Sequence, residues 1–306
     1  MTTSESLTVR PASGADATDP PSAQQVSAVT RKRPRRRWDL TLVGIVVAAI
    51  FLIPYLVMVL GSLKPHSEIL QIPPTYLPHK WSPGNYASMW HTPETPLPFN
   101  LVSTIVISVC ATVIVLLVAI PAAYYTARRR FPGKMAFLGL VLITQMLQPV
   151  VLVTGLIREF FALGINDTWL AMILVNSAFN LSFAVWILHS FFASIPVEVE
   201  EAAQLDGLNR RQILTRVSLP LVWPGIVTAT IFAFVSCWNE FAASLVVLTT
   251  AQNQPLSVAL TKFIGQYDTA WQYVFAISTV GIVPVVILFA LIEKRLVAGL
   301  TAGSVK

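Results

Sequence analysis

The feature that most constrains this chain is a series of long apolar runs that carry almost no charge. They lie at roughly 40–63, 99–127, 135–157, 168–192, 217–250 and 269–292. A bilayer core ~30 Å thick is crossed by ~20 helical residues, so each run is long enough to span it. Composition agrees, since 55% of residues are hydrophobic and 12% charged, whereas soluble domains have ~25% charged residues. The expected fold is all-α and polytopic, with six transmembrane helices. The fifth run is longer than one crossing requires and contains Glu240, so it reads as one tilted or broken helix.

Residues 1–37 are rich in Ser, Thr, Ala, Pro and charge, with no apolar periodicity. Such a segment buries too little surface to offset chain entropy and reads as a disordered basic tail, leaving 38–306 as the membrane domain. The tail ends in RKRPRRR immediately before the first run. Nucleic-acid binding is the rival reading of that cluster, but positive-inside anchoring explains it with less. The first run is too long for the core of a cleaved signal peptide, which has ~7–15 apolar residues. With the N-terminus inside, 17 of the 21 basic residues fall on the cytoplasmic side. Basic residues resist translocation, so both termini are expected inside a bacterial-type cell membrane.

The loop after the first run is rich in Pro and Trp and is expected to be ordered against the bundle. Its Trp81, Tyr86 and Trp90 read as an interfacial aromatic belt, with an external partner as the alternative. Residues 251–268 read as a short interfacial helix on the same side. Cys110 and Cys237 lie inside apolar runs and read as packing residues. Catalytic signals are absent. No G-x-x-x-x-G-K-[ST] loop occurs, because Arg128 stands where its first glycine would be. The four histidines show no metal-ligand spacing.

One stretch breaks the apolar pattern, IPVEVEEAAQLDGLNRRQILTRVSLPLVWP at 195–224. It holds four of the fifteen acidic residues yet is flanked by membrane runs. Pro196 suits a first helical turn, and Glu198, Glu200 and Glu201 follow where the helix dipole favours negative charge. Ala202, Ala203 and Leu205 continue the helix, Gly207 suits a left-handed turn, and Asn209 is an N-cap for a second helix that precedes Pro220. The expected object is a cytoplasmic helix–turn–helix with small alanines at its crest, where another protein's backbone can approach closely. A lipid-held hairpin is the alternative, opposed by the three glutamates, which anionic headgroups would repel.

Glu201-Ala202-Ala203, three residues, Gly207, nine residues, then Val217-Ser218-Leu219-Pro220 resembles the EAA loop of ABC importer permeases. GSLKPHSEI, AAYYTARRRFPGK, LGINDTW, SFFASIP, CWNEF and RLVAGLTAGSVK occur in the order found in the carbohydrate-uptake, maltose-type branch, so the resemblance covers about 38–306. Leu208 stands where that branch usually has Ala, Val217 where it has Ile, and Ser103-Thr104 where it commonly has Asn-Ser.

The resemblance implies a permease subunit that is not an enzyme and forms half of a sugar translocation pathway. Its partners would be a second homologous permease, two ATPase subunits that bind ATP and Mg, and an extracytoplasmic substrate-binding protein. Glu200, Glu201, Ala202, Ala203, Asp206, Gly207, Leu208 and Pro220 would form the coupling surface on the ATPase. Asn176, Asn180 and Ser182 in the fourth run, with Trp238, Asn239 and Glu240 in the fifth, are candidates for the substrate path. A glycerol phosphate or polyol substrate fits the same architecture. An ion-coupled secondary transporter is the rival class and needs intramembrane acids, for which only Glu240 is a candidate.

Overall fold

A computed structural model describes residues 38–93, 95–146, 149–265 and 268–302. The N-terminal tail expected at 1–37 lies outside the described residues. The chain divides into two compact units, Met1–Phe51 and Leu52–Lys306. The described part of the first is the opening half of helix α1, Trp38–Ser62. The hydrophobic clusters all lie within the second.

Helix α1 is followed by the short helices α2, His66–Ile69, and α3, Gly84–Ser88, and then by the long α4, Leu97–Arg128. Next come α5, Lys134–Gln145, and α6, Pro149–Ala162, before α7, Trp169–Ser194. The polar loop holds α8, Val197–Leu205, then α9, Arg210–Gln212, a π segment, Ile213–Ser218, and α10, Leu219–Leu221. Helices α11, Trp223–Trp238, α12, Ala242–Val247, α13, Leu256–Thr261, and α14, Trp271–Ala302, complete the order. Among the described residues the only β feature is an isolated bridge between Ile264 and Thr269.

Among the described residues four helices are long and apolar enough to cross a membrane, or five if the bent pair Arg210–Leu221 and Trp223–Trp238 is one span. The third and fifth expected spans therefore take a different form. In place of an unbroken 135–157 helix, the helices α5, Lys134–Gln145, and α6, Pro149–Ala162, are separate, and Met146 after α5 is a turn residue. Pro54, Pro121 and Pro284 lie inside helices. The fifth run is broken twice, by a 78° bend at Val222 and after Trp238.

The core is built from α4, α7 and α11 around Val115, Ala119, Leu188, Phe192, Ile226 and Ala229. Small buried residues recur along one face of α4, at Thr104, Ser108, Ala111, Thr112, Ala119 and Ala123. Without a hydrophobic drive between helices in lipid, such a stripe gains its contact energy from close backbone approach. A second cluster joins α4, α6, α7 and α12 through Ile107, Val153, Met172 and Val247. A third joins α13 and α14 to Met89 and Leu97.

At the end away from the polar loop, connecting segments are held by side-chain hydrogen bonds. Asn100 donates to the carbonyls of Ala251 and Gln254, and the Leu256 N–H donates to the Thr104 hydroxyl at 2.7 Å. The buried Glu68 carboxylate accepts from the N–H groups of His79 and Lys80 and from Thr75. The His79 N–H is the largest influence holding that carboxyl below its ordinary range, against the opposing effect of burial. Of the expected belt, Tyr86 and Trp90 pack on the third cluster while Trp81 stays exposed.

Candidate functional site

The polar loop is shaped by local rules. Glu198 and Glu200 lie in the first turn of α8, where unpaired N–H groups favour negative charge. The helix stops at Gly207, which sits at φ +82°. There the Leu208 N–H donates to the Ala203 carbonyl at 3.1 Å and the Gly207 N–H to Gln204 at 3.0 Å. This bond pair is a Schellman closure, which needs the left-handed residue that glycine supplies without a Cβ penalty. Asn209 then caps the second helix. Its side chain accepts from the Gln212 N–H at 3.0 Å while the Gln212 side chain accepts from the Asn209 N–H at 2.9 Å, a reciprocal capping box.

Pro220 lies within the second helix rather than after it. A proline there removes one hydrogen bond and crowds the carbonyl four residues back. The chain opens into a π turn at Ile213–Ser218 just before it, and the wider i→i+5 spacing relieves that crowding.

The eight residues expected on the coupling surface separate into two groups. Glu201, Ala202, Asp206, Gly207 and Pro220 are exposed, and Leu208 is half-buried. Leu205 joins the exposed crest at 89%. Glu200 and Ala203 are turned inward, at 5% and 7% exposure. The physical reason for Glu200 is a polar cluster that neighbouring spacing does not reveal. Its carboxylate accepts from Arg128 Nε at 3.0 Å, Tyr124 Oη at 3.1 Å and Ser218 Oγ at 2.7 Å. Arg128 Nη1 also donates to the Ile195 carbonyl at 3.0 Å. The ion pair is shielded, its side chains being 12% and 7% exposed. Removing one partner of such a buried pair costs about 3–5 kcal/mol, because the other charge is left uncompensated. Above it opens a cavity of about 280 Å³ lined by Tyr124, Tyr125, Arg128, Glu201, Gln204 and Arg210.

The substrate-path candidates are not brought to one place. Ser182 lines a largely apolar cavity of about 650 Å³ with Thr144, Leu156, Glu159 and Phe179, and pairs with the Thr144 hydroxyl at 2.7 Å. Trp238 and Asn239 line a different cavity of about 430 Å³ with Tyr55, Ser257 and Ser278. Trp238 Nε1 donates to the Gly281 carbonyl at 3.1 Å, tying α11 to α14. Asn176 is buried, and Asn180 donates to its carbonyl at 2.9 Å. Glu240 accepts from the N–H groups of Ala243 and Ser244 and from the Ser244 hydroxyl at 2.7 Å. It caps α12, where a carboxylate is favoured, and so has a structural task apart from any coupling ion. Among the described residues no group of three or more His, Cys, Asp or Glu could hold a metal ion.

Tyr124 and Arg128 lie in the AAYYTARRRFPGK motif without a role being assigned to either, and Asn100 lies in no motif. One signal was available for the first two: Tyr124 and Arg128 are four residues apart and therefore share a helix face.

Residues 116–301 match the family model for the binding-protein-dependent transport system inner membrane component. The chain belongs to this family. Its members are ABC transporter permeases, which are not themselves catalytic, and this permease is a multi-pass membrane protein. It is 35% identical over 257 residues to the inner membrane ABC transporter permease protein YcjP of Escherichia coli K12, covering 84% of this chain and 92% of that one. It is 36% identical over 208 residues to the trehalose transport system permease protein SugB of Mycobacterium tuberculosis, covering 67% and 76%. A solved bacterial ABC transporter that imports the acidic polysaccharide alginate has a chain matching this permease with TM-score 0.70 at 24% identity, covering 85% and 97%. That likeness speaks to the fold.

Proposed function

We propose that this permease forms one half of the translocation pathway of an ATP-driven sugar importer and receives its power stroke through the 197–221 loop. The observation that carries this reading is the loop's two-sided construction. Its crest presents Glu201, Ala202, Leu205 and Asp206 to the outside of the bundle, while Glu200 and Ala203 fasten it to the bundle beneath. An exposed leucine among small and acidic residues suits a shallow cleft on a soluble partner better than a lipid surface. The partner is an ATPase that binds ATP and Mg; two copies serve this chain and a second, homologous permease.

The loop end is cytoplasmic, as are both termini, in keeping with the distribution of basic residues. The chain crosses the membrane six times, with α5 and α6 together supplying the third crossing and the α11–α12 region the fifth. Substrate arrives from an extracytoplasmic binding protein. The trehalose system's permease among the relatives supports a sugar, and the cavity beside Trp238, Asn239 and Ser257 offers the aromatic and amide groups that a polyhydroxylated ligand needs. Surrounding lipid holds the apolar faces, and no nucleic acid takes part.

The test is reconstitution of the purified complex in vesicles. ATP-dependent uptake is expected, with Leu205→Asp losing the ATPase on purification while still inserting in the membrane. Solute uptake by this chain alone, driven by an ion gradient without ATP, would refute the reading.

A further inference from the structure

The loop has two covalent routes into the bundle, and both contain a joint. From α7 the chain enters through Ile195 and Pro196, both extended, with ψ 126° and 139°. Towards α11 it leaves through the 78° bend at Val222. A push on α8 transmitted only along the backbone would be partly absorbed at these two points, because a few terminal residues can take up large dihedral changes.

A third, non-covalent route avoids both. We propose that the Arg128–Glu200 pair is a rigid pin that carries motion of the coupling loop directly into α4, a helix with no sequence connection to the loop. Glu200 is the point where three elements meet: α8 through its own backbone, α4 through Tyr124 and Arg128, and the second loop helix through Ser218. Arg128 adds a fourth by holding the Ile195 carbonyl at the exit of α7, which stiffens one of the two joints. The side chains above and below are packed. The Tyr124 ring meets Phe192 edge-on with centroids 5.4 Å apart, and Ser218 is fully buried. A buried network of charge-assisted bonds has few alternative geometries, so its members move together or the network breaks.

Helix α4 is the right recipient. It packs against α7 and α11 in the main cluster, reaches α6 and α12 through the second, and contributes Leu97 to the third. A displacement applied at Arg128 therefore reaches each cluster through one continuous helix of 32 residues. Glu200 and Arg128 are positioning residues in this scheme, and the docking surface is left to Glu201, Ala202 and Leu205.

The inference rests on the proposed importer reading, and the test separates the two. The complete complex with its ATPases is reconstituted, and ATP hydrolysis and sugar uptake are measured on the same vesicles. Glu200→Gln keeps shape but removes the charge. It is expected to retain the ATPase and hydrolyse ATP within about twofold of the parent, while uptake per ATP falls at least tenfold. The exchanged pair Glu200→Arg with Arg128→Glu is expected to recover at least half of that ratio, a coupling that a double-mutant cycle isolates.

Spin labels at Tyr125 on α4 and Val199 on α8, both exposed and outside the docking crest, give a second readout. One narrow distance is expected to persist through the nucleotide cycle in the parent and to broaden in Glu200→Gln. An unchanged uptake-to-ATP ratio in Glu200→Gln would overturn the inference. So would joint loss of ATPase binding and uptake, since the pair would then only shape the docking surface. Should Glu200→Gln fail to insert, Tyr124→Phe and Ser218→Ala each remove a single donor and carry the same test, with about a threefold loss of the ratio expected. A parent complex without ATP-driven uptake would instead defeat the importer reading itself.

Discussion

Gly207 isolates a backbone effect from every side-chain effect. Its φ is +82°, and a Cβ built on it meets no heavy atom within 4 Å. Any cost of Gly207→Ala is therefore conformational, the ~1–2 kcal/mol that an L-residue incurs in the left-handed region. At 1.4 kcal/mol per tenfold, that opens the turn about 5- to 30-fold more often. The amide to follow is that of Leu208, whose bond to the Ala203 carbonyl closes the helix end. Hydrogen exchange at that amide is expected to accelerate by the same factor in Gly207→Ala. Gly207→Leu should match alanine, because the surrounding space is open. Gly207→Asn should cost less, since asparagine tolerates this conformation. Gly207→Pro should be worst, because it fixes φ near −65° and deletes the N–H that donates to Gln204. In reconstituted vesicles the order of uptake should follow the order of amide protection. Wild-type protection of Leu208 in Gly207→Ala, or a leucine variant several kcal/mol worse than alanine, would refute the reasoning.

Two further outcomes follow from other contacts. Gly225→Ala would place its Cβ 2.4 Å from Phe191 Cγ, so separation of α7 and α11 at about 1–3 kcal/mol is expected. It should appear as a lower thermal midpoint in detergent that Phe191→Ala partly restores. Asp167, at φ 55°, accepts from the N–H groups of Thr249 and Thr250 and from the Thr250 hydroxyl. Burial raises its carboxyl, but the bonds from Thr250 and Thr249 outweigh it and leave the group below its ordinary range. A depressed carboxyl contributes stability above its unfolded value of ~3.9 and loses it as pH falls through the lower folded value. The 249–253 segment should therefore resist proteolysis at neutral pH and loosen below about pH 4, whereas Asp167→Ala should be loose across the range.

Legibility in the sequence followed the range of the interactions. Gly207, Asn209 and the start of α8 were readable because turns and caps are set by residues within three or four positions. The inward turn of Glu200 was not, since it depends on Arg128, 72 residues away; adjacent Glu200 and Glu201 look alike until the azimuth of α8 is known. The absence of charge over 135–157 concealed the separation of α5 from α6, because an uncharged run reports compatibility with lipid and says little about where a helix ends. Substrate-path candidates were chosen as polar groups in apolar runs, and that criterion cannot distinguish a cavity wall from a cap. Glu240 proved to be a cap and Asn239 a cavity residue.

The π turn before Pro220 also makes residue count a structural quantity. Ile213 and Ser218 are both buried, at 1% and 0% exposure, although they are five residues apart. In an α-helix of about 100° per residue they would point to clearly different sides; the i→i+5 repeat brings them into line. Ser218 reaches Glu200 in that phase. Deleting one residue within the π segment would let the turn close with i→i+4 bonds, leaving the serine about 40° from Ile213 and still on the side of Glu200. The stretch thus behaves like a chain with one spare link, which can be taken out without loss of alignment, whereas an added residue would turn the hydroxyl about 100° away from Glu200.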